Sequence, residues 1–309
     1  MNQSTNNILL VRPSNFIFNA ETATNNAFQN NIEEANESIS NKVIEEFENL
    51  KTQLIINGID VIVIDDTENP IKPDAIFPNN WVSFHEDGTV ILYPMFAVNR
   101  RTERRLDIIE TLKEKFDIKN IIDFSIYENE NKFLEGTGSV VFDHEHKIAY
   151  ACLSPRTNKE IFIKLCEALD YKPIYFTACD EAGQEIYHSN VMMCIAEKIV
   201  IICTDSIVHK NEKETVIQSL KNTGHGLIDI SFTQMNKFAG NMLALQTNVG
   251  MHLIALSQTA YNSLYTIQIE SIKKHYELLT LAIPTIETIG GGSVRCMMGE
   301  IFLSLKSVH

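Results

Sequence analysis

The chain has 309 residues, 44% of them hydrophobic and 21% charged, the balance of a folded globular protein and not of a disordered one. Its net charge of −14 argues against nucleic acid as a partner, because a basic face is needed to displace counterions from phosphates; a small anionic substrate meets only the local charge of its pocket. Six cysteines (Cys152, Cys166, Cys179, Cys194, Cys203, Cys296) without CxxC spacing predict a reduced chain lacking disulfides and structural zinc. The opening "MNQSTNNILLVRPSNF" lacks a basic n-region, and no apolar stretch approaches transmembrane length, so a cytoplasmic protein without membrane association is expected.

The predicted elements fall into a regular order. After a short apolar run at 59–65 comes a strand–turn–strand unit at 81–94, turning at Glu86-Asp87-Gly88, and a helical pattern at 100–116. A second hairpin at 139–154 turns at His144-Glu145 and is followed by a helix at 158–169 and an apolar run at 172–176. The third, at 191–205, turns at Glu197-Lys198 and leads to a helix at 213–224 with a glycine stop and a run at 227–231. A fourth hairpin at 242–257 turns at Asn248-Val249-Gly250, and a fifth, shorter one begins at Cys296 and runs through "MMGEIFLS".

The residues just before these five units are Asn80, Glu135, His188, Asn241 and Cys296, spaced 55, 53, 53 and 55 apart. A repeat of that length, built of strands and a helix, points to one α/β domain over residues 1–309 with five units around a common axis. An open, doubly wound sheet is the alternative. Radial repetition brings the five polar residues to one central pocket, and a cysteine, a histidine and a glutamate arriving together are the parts of a nucleophilic site.

Other motifs read as structural. Asp143-His144-Glu145-His146 resembles a metal-ligand run, but it occupies a hairpin tip and no further ligand follows at suitable spacing; it reads as a solvated turn, and no metal is expected. Gly136-Thr137-Gly138 and Gly224-His225-Gly226 lack the dinucleotide-binding spacing, so no cofactor is predicted. "RRTERR" at 100–105 is too short for a nucleic-acid patch in so acidic a chain. The glycines before the last cysteine, Gly290-Gly291-Gly292, allow left-handed backbone and close approach of another group.

Taken in order, "FPNNW" (77–81), "NRRTE" (99–103), "FLEGTGS" (133–139), "LSPRTN" (153–158), "YHSNVMM" (187–193) and "GGGSVRCMM" (290–298) resemble the guanidino-group-modifying superfamily of arginine deiminases, dimethylarginine dimethylaminohydrolases and amidinotransferases. The resemblance spans essentially the whole chain and is strongest to the bacterial citrulline-hydrolase branch. It implies a five-fold α/β propeller (pentein), with Cys296 as nucleophile, His188 as proton carrier and Glu135 orienting His188 or binding a substrate nitrogen. Arg100 and Arg156 match the arginines that hold a substrate α-carboxylate, a task suited to a planar two-pronged donor.

The chain also departs from that pattern. Asn79 and Asn80 stand where acidic residues are typical, Glu135-Gly136-Thr137-Gly138 lacks the aspartate of its motif, and His188-Ser189-Asn190 ends in an amide. Amides both donate and accept, so they suit a neutral ureido group better than a guanidinium, whose buried charge they compensate poorly. With Asn80, Asn79, Asn190 and Asn241 as amide contacts, the expected activity is hydrolysis of citrulline to ornithine, carbon dioxide and ammonia through a covalent cysteine intermediate. An arginine deiminase, a dimethylarginine hydrolase or an amidinotransferase is the runner-up. A non-catalytic propeller that binds a partner is a third reading, disfavoured by the complete Cys–His–Glu set. The expected partner is a small amino acid, and homodimerisation is left open.

Overall fold

The computed structural model describes residues 2–32 and 34–306. Its first unit is β1 (Asn7–Arg12) paired in parallel with β2 (Asp60–Asp65), joined by the helix Asn36–Ile56. That helix forms because Ile39, Val43, Phe47, Leu50 and Leu54 recur at helical spacing and bury one stripe in the core. Its other face is rich in glutamate, asparagine and lysine.

Four further units repeat one plan, an antiparallel pair extended by a parallel strand across a helical connection. They are β3 (Val82–Phe84), β4 (Thr89–Leu92) and β5 (Asn120–Asp123); β6 (Val141–Asp143), β7 (Ile148–Cys152) and β8 (Lys172–Phe176); β9 (Met193–Ile195), β10 (Ile199–Ile202) and β11 (Gly226–Asp229); and β12 (Leu243–Gln246), β13 (His252–Ser257) and β14 (Glu277–Leu281). The middle strands are flanked on both edges and covered on both faces, so β4, β7 and β10 read as unbroken buried runs. Helix Lys159–Leu169 shows why each connection folds locally: Asn158 accepts from the amides of Glu160 and Ile161, while Ile161, Phe162, Leu165, Cys166 and Leu169 turn inward.

The last predicted hairpin does not form. β15 (Gly299–Glu300) is a single short strand that pairs antiparallel with β1, Ile8 opposite Glu300 and Leu9 opposite Gly299. The two ends of the chain thus complete one sheet, and among the described residues there are five sheets of three strands each. The helix predicted over 100–116 is also shorter: Asn99–Glu103 is a 3₁₀ turn, and the α-helix runs Leu106–Lys115. The break has a reason, because Arg100 and Glu103 are buried inward at the site and not on the helix's solvent face. The helix predicted at 213–224 spans Lys210–Asn222. No helix among the described residues is long and apolar enough to cross a membrane.

Candidate active site

Each unit delivers its polar residue from a tight turn just ahead of a strand. Asn80 ends the 3₁₀ turn Pro78–Asn80, Glu135 precedes the turn Gly136–Ser139, and His188 precedes the turn Ser189–Met192. Asn241 lies two residues before β12, and Cys296 sits in a turn closed by its own N–H on the Ser293 carbonyl (2.9 Å).

His188 Nε2–H donates to Glu135 Oε2 at 2.8 Å, both side chains being buried. Since an ionised carboxylate only accepts, the proton sits on Nε2 and Nδ1 is the basic nitrogen. Glu135 Oε1 also accepts from the Phe96 amide (3.0 Å), and Arg156 Nη1 (3.5 Å) and Arg100 Nη1 (4.0 Å) lie beside Oε2. Burial pushes the carboxyl up, but Arg156, His188 and Arg100 together outweigh it and hold Glu135 far below the usual carboxylate range. His188 is pushed down to about 4, chiefly by burial and against the pull of Glu135, so its ring is neutral at pH 7 and free to take a proton.

The Cys296 sulfur receives two amide N–H groups, Asn241 Nδ2 at 3.3 Å and Asn190 Nδ2 at 3.6 Å. Asn241 is itself fixed, donating to the Asn190 carbonyl (3.0 Å) and accepting from the Arg295 amide (3.1 Å). Burial pushes the thiols of Cys152, Cys166 and Cys194 up to about 12 and that of Cys203 up to about 11, and raises Cys179 as well.

Cys296, His188, Asn80, Arg100 and Arg156 share one narrow cavity with Asp74, Phe77, Tyr187, Thr22, Asn26 and the three glycines; its open volume of about 20 Å³ holds about one water. Arg100 grips Glu103 through Nε and Nη2 (2.9 Å each) and the Asn80 oxygen through Nη1 (3.1 Å). Arg156 donates through Nε to Asn25 Oδ1 (2.8 Å) and through Nη2 to the Thr22 carbonyl (3.0 Å), and lies over the Tyr187 ring at 4.8 Å.

Several expected contacts fall elsewhere. Asn79 does not line the cavity: its backbone oxygen accepts from Thr137 Oγ1 (3.3 Å), and both its amide atoms are buried without a partner. Asn190 and Asn241 approach the sulfur from behind and do not line the cavity. Asn80 keeps only half of its expected role: its oxygen is held by Arg100, and its Nδ2 has no partner.

Sequence reading missed Asp74, whose Oδ2 accepts from Asn19 Nδ2 (2.8 Å) while Oδ1 is unpartnered on the cavity wall. The cavity wall therefore carries a carboxylate, whereas Glu135 stands behind His188 and does not line it. Asp74 stands three residues before Phe77 of "FPNNW", so widening that motif is the signal that would have found it. Also missed was the segment around helix Ala20–Ala23, which supplies Thr22 and Asn26 as a roof. It is held down by Asn26 Nδ2 on the Gly290 carbonyl (3.4 Å) and Gln29 Nε2 on the Ile289 carbonyl (3.2 Å). This answers the glycine run: Gly291 has φ +64, and a Cβ there would come within 2.6–2.8 Å of Gln29 and Asn26.

A family model described as "N,N dimethylarginine dimethylhydrolase, eukaryotic" matches residues 12–303. The chain belongs to this family. As a member of the dimethylarginine dimethylhydrolase family it is a hydrolytic enzyme of the guanidino-group-modifying superfamily. Solved structures share its fold. Apo ArgZ, an arginine dihydrolase from the ornithine–ammonia cycle in cyanobacteria, matches with TM-score 0.74 and 14% identity over 97% of this chain. The chain spans 41% of that protein but 99% of its N-terminal domain, solved as a substrate-bound variant (TM-score 0.73, 15% identity, 96% of this chain). A variant of dimethylarginine dimethylaminohydrolase in adduct with S-methyl-L-thiocitrulline matches with TM-score 0.66 and 15% identity, over 96% of this chain and 99% of that one. No curated protein matches the chain by sequence.

Proposed function

We propose that this hydrolase cleaves the C–N bond joining the ureido carbon of citrulline to its side-chain nitrogen, with Cys296 as nucleophile. The observation that carries the reading is Cys296 and His188 on one cavity wall, with Glu135 bonded to the Nε2 of that histidine. His188 Nδ1 takes the thiol proton, and the thiolate adds to the ureido carbon. The bond to the ornithine nitrogen then breaks, and the histidinium returns its proton to that amine. His188 next takes a proton from water, whose oxygen displaces the S-carbamoyl group as carbamate, which decomposes to carbon dioxide and ammonia. The five units surround one axis in this reading, supported by the pairing of β15 with β1 and by the meeting of residues from all five turns.

In this reading Asn80 Nδ2, which has no partner, donates to the ureido oxygen, and Arg156 exchanges its bonds to Asn25 and Thr22 for the α-carboxylate. Asp74 favours a second reading. A free carboxylate oxygen on the wall suits a guanidinium, so arginine enters first, loses ammonia to give citrulline, and citrulline then reacts to ornithine. Ammonia release measured over citrulline, arginine, methylated arginines, agmatine and carbamoyl-putrescine tests both. The proposal expects ornithine from citrulline, and the second reading expects ornithine from arginine as well. Methylamine release from methylarginines alone would overturn both.

A further inference from the structure

A second cluster of reactive side chains lies outside the cavity. The Asp143–His146 turn offers no further ligand along the chain, but the fold supplies one from the next unit. Asp143 ends β6 and is fully buried, His146 follows three residues later on the turn, and His225 is buried one residue before β11. His146 Nδ1 lies 2.9 and 3.1 Å from the two Asp143 oxygens, and His225 Nδ1 lies 3.9 Å from Asp143 Oδ2. One donor atom from each residue falls within 4.8 Å of the others.

A buried carboxylate needs compensation, and among the described residues the ion-pair partners of Asp143 are these two imidazoles. A cation about 2.1 Å from nitrogen and oxygen donors sets those donors roughly 3–4 Å apart, a spread that this cluster reaches by turning His146, its exposed member. Two imidazoles and one carboxylate suit zinc-like ions, whereas magnesium and calcium favour oxygen alone.

We propose that Asp143, His146 and His225 form a site for a divalent transition cation of the zinc class, completed by water, that ties the β6–β7 turn to the loop entering β11. The cation replaces the proton that His146 Nδ1 shares with Asp143. It also displaces the hydroxyl of Thr223, which lies 2.7 Å from His225 Nδ1 and has the Leu220 carbonyl (2.9 Å) as another neighbour.

The test is calorimetric titration of Zn²⁺ into the full chain carrying Cys296→Ser, which removes the cavity cysteine as a competing ligand. Thermal melts with and without Zn²⁺ accompany it. The expected result is one Zn²⁺ per chain, a raised Tm, and nitrogen–oxygen ligand-field bands with Co²⁺ in its place. His146→Ala, an exposed position whose loss leaves the fold intact, should weaken binding by more than about tenfold and remove the Tm rise. No Zn²⁺ uptake, or uptake with unchanged affinity and Tm rise in His146→Ala, would overturn the site.

Discussion

Asn80 shows how one atom sets a preference. Its oxygen serves Arg100 and its nitrogen has no partner, the donor that the proposed function gives to the substrate. Asn80→Asp keeps the first contact and loses the second, so the carboxylate faces the ureido oxygen without a proton to give. We expect kcat/KM for citrulline to fall by about 10–100-fold, the cost of an unmet hydrogen bond, while arginine gains relative to it. Equal changes for both substrates would remove Asn80 as the discriminator. At this scale Cys296, His188 and Glu135 were legible because they recur at a fixed spacing. Asp74, Thr22 and Asn26 were not, since contacts from a roof segment leave no periodic trace. The amides split differently from expectation: an asparagine in sequence looks the same whether it lines the cavity, as Asn80 does, or donates to the Cys296 sulfur, as Asn190 and Asn241 do.

Among the elements, the short turn Gly136–Ser139 illustrates packing that the site demands. A Cβ on Gly138 would come 2.4 Å from Asn80 Nδ2 and 2.8 Å from His188 Nδ1 and Cε1. Gly138→Ala must therefore shift both side chains. The expected loss in kcat/KM is about 100-fold from misplacement, with an overpacking cost of about 1–3 kcal/mol in stability by denaturant unfolding. Full activity in that variant would show that the turn has slack. The repeat of hairpin, helix and parallel strand could be read from alternating apolar runs. The 3₁₀ turn at Asn99–Glu103 could not, because Arg100 and Glu103 carry helix-forming side chains that tertiary pairing draws out of the helix.

At the scale of the molecule, segments near the two ends of the chain meet, β15 on β1, with Ile301 N–H on the Asn7 carbonyl (2.9 Å) and Thr5 Oγ1–H on the Ile301 carbonyl (2.8 Å). A two-residue strand has no pattern of its own, which is why sequence alone suggested a hairpin there. Burial also gives the fold an acid limit. His85, packed beside Ser83 with Nε2–Oγ at 2.8 Å, is pushed down from 6.5 to about 4 by desolvation. The unfolded chain binds that proton first, so the contribution is intact above pH 6.5 and lost as pH falls towards 4. Against His85→Gln, the wild type should lose about 3 kcal/mol across that window in unfolding experiments, and parallel curves would contradict the assignment. The central claim concerns Cys296. Intact-protein mass spectrometry after acid quench of a steady-state reaction with citrulline reads it most directly. The account predicts an added carbamoyl group on Cys296 in the wild type, with no adduct and no turnover in a folded Cys296→Ser. Undiminished ornithine production by Cys296→Ser would contradict it.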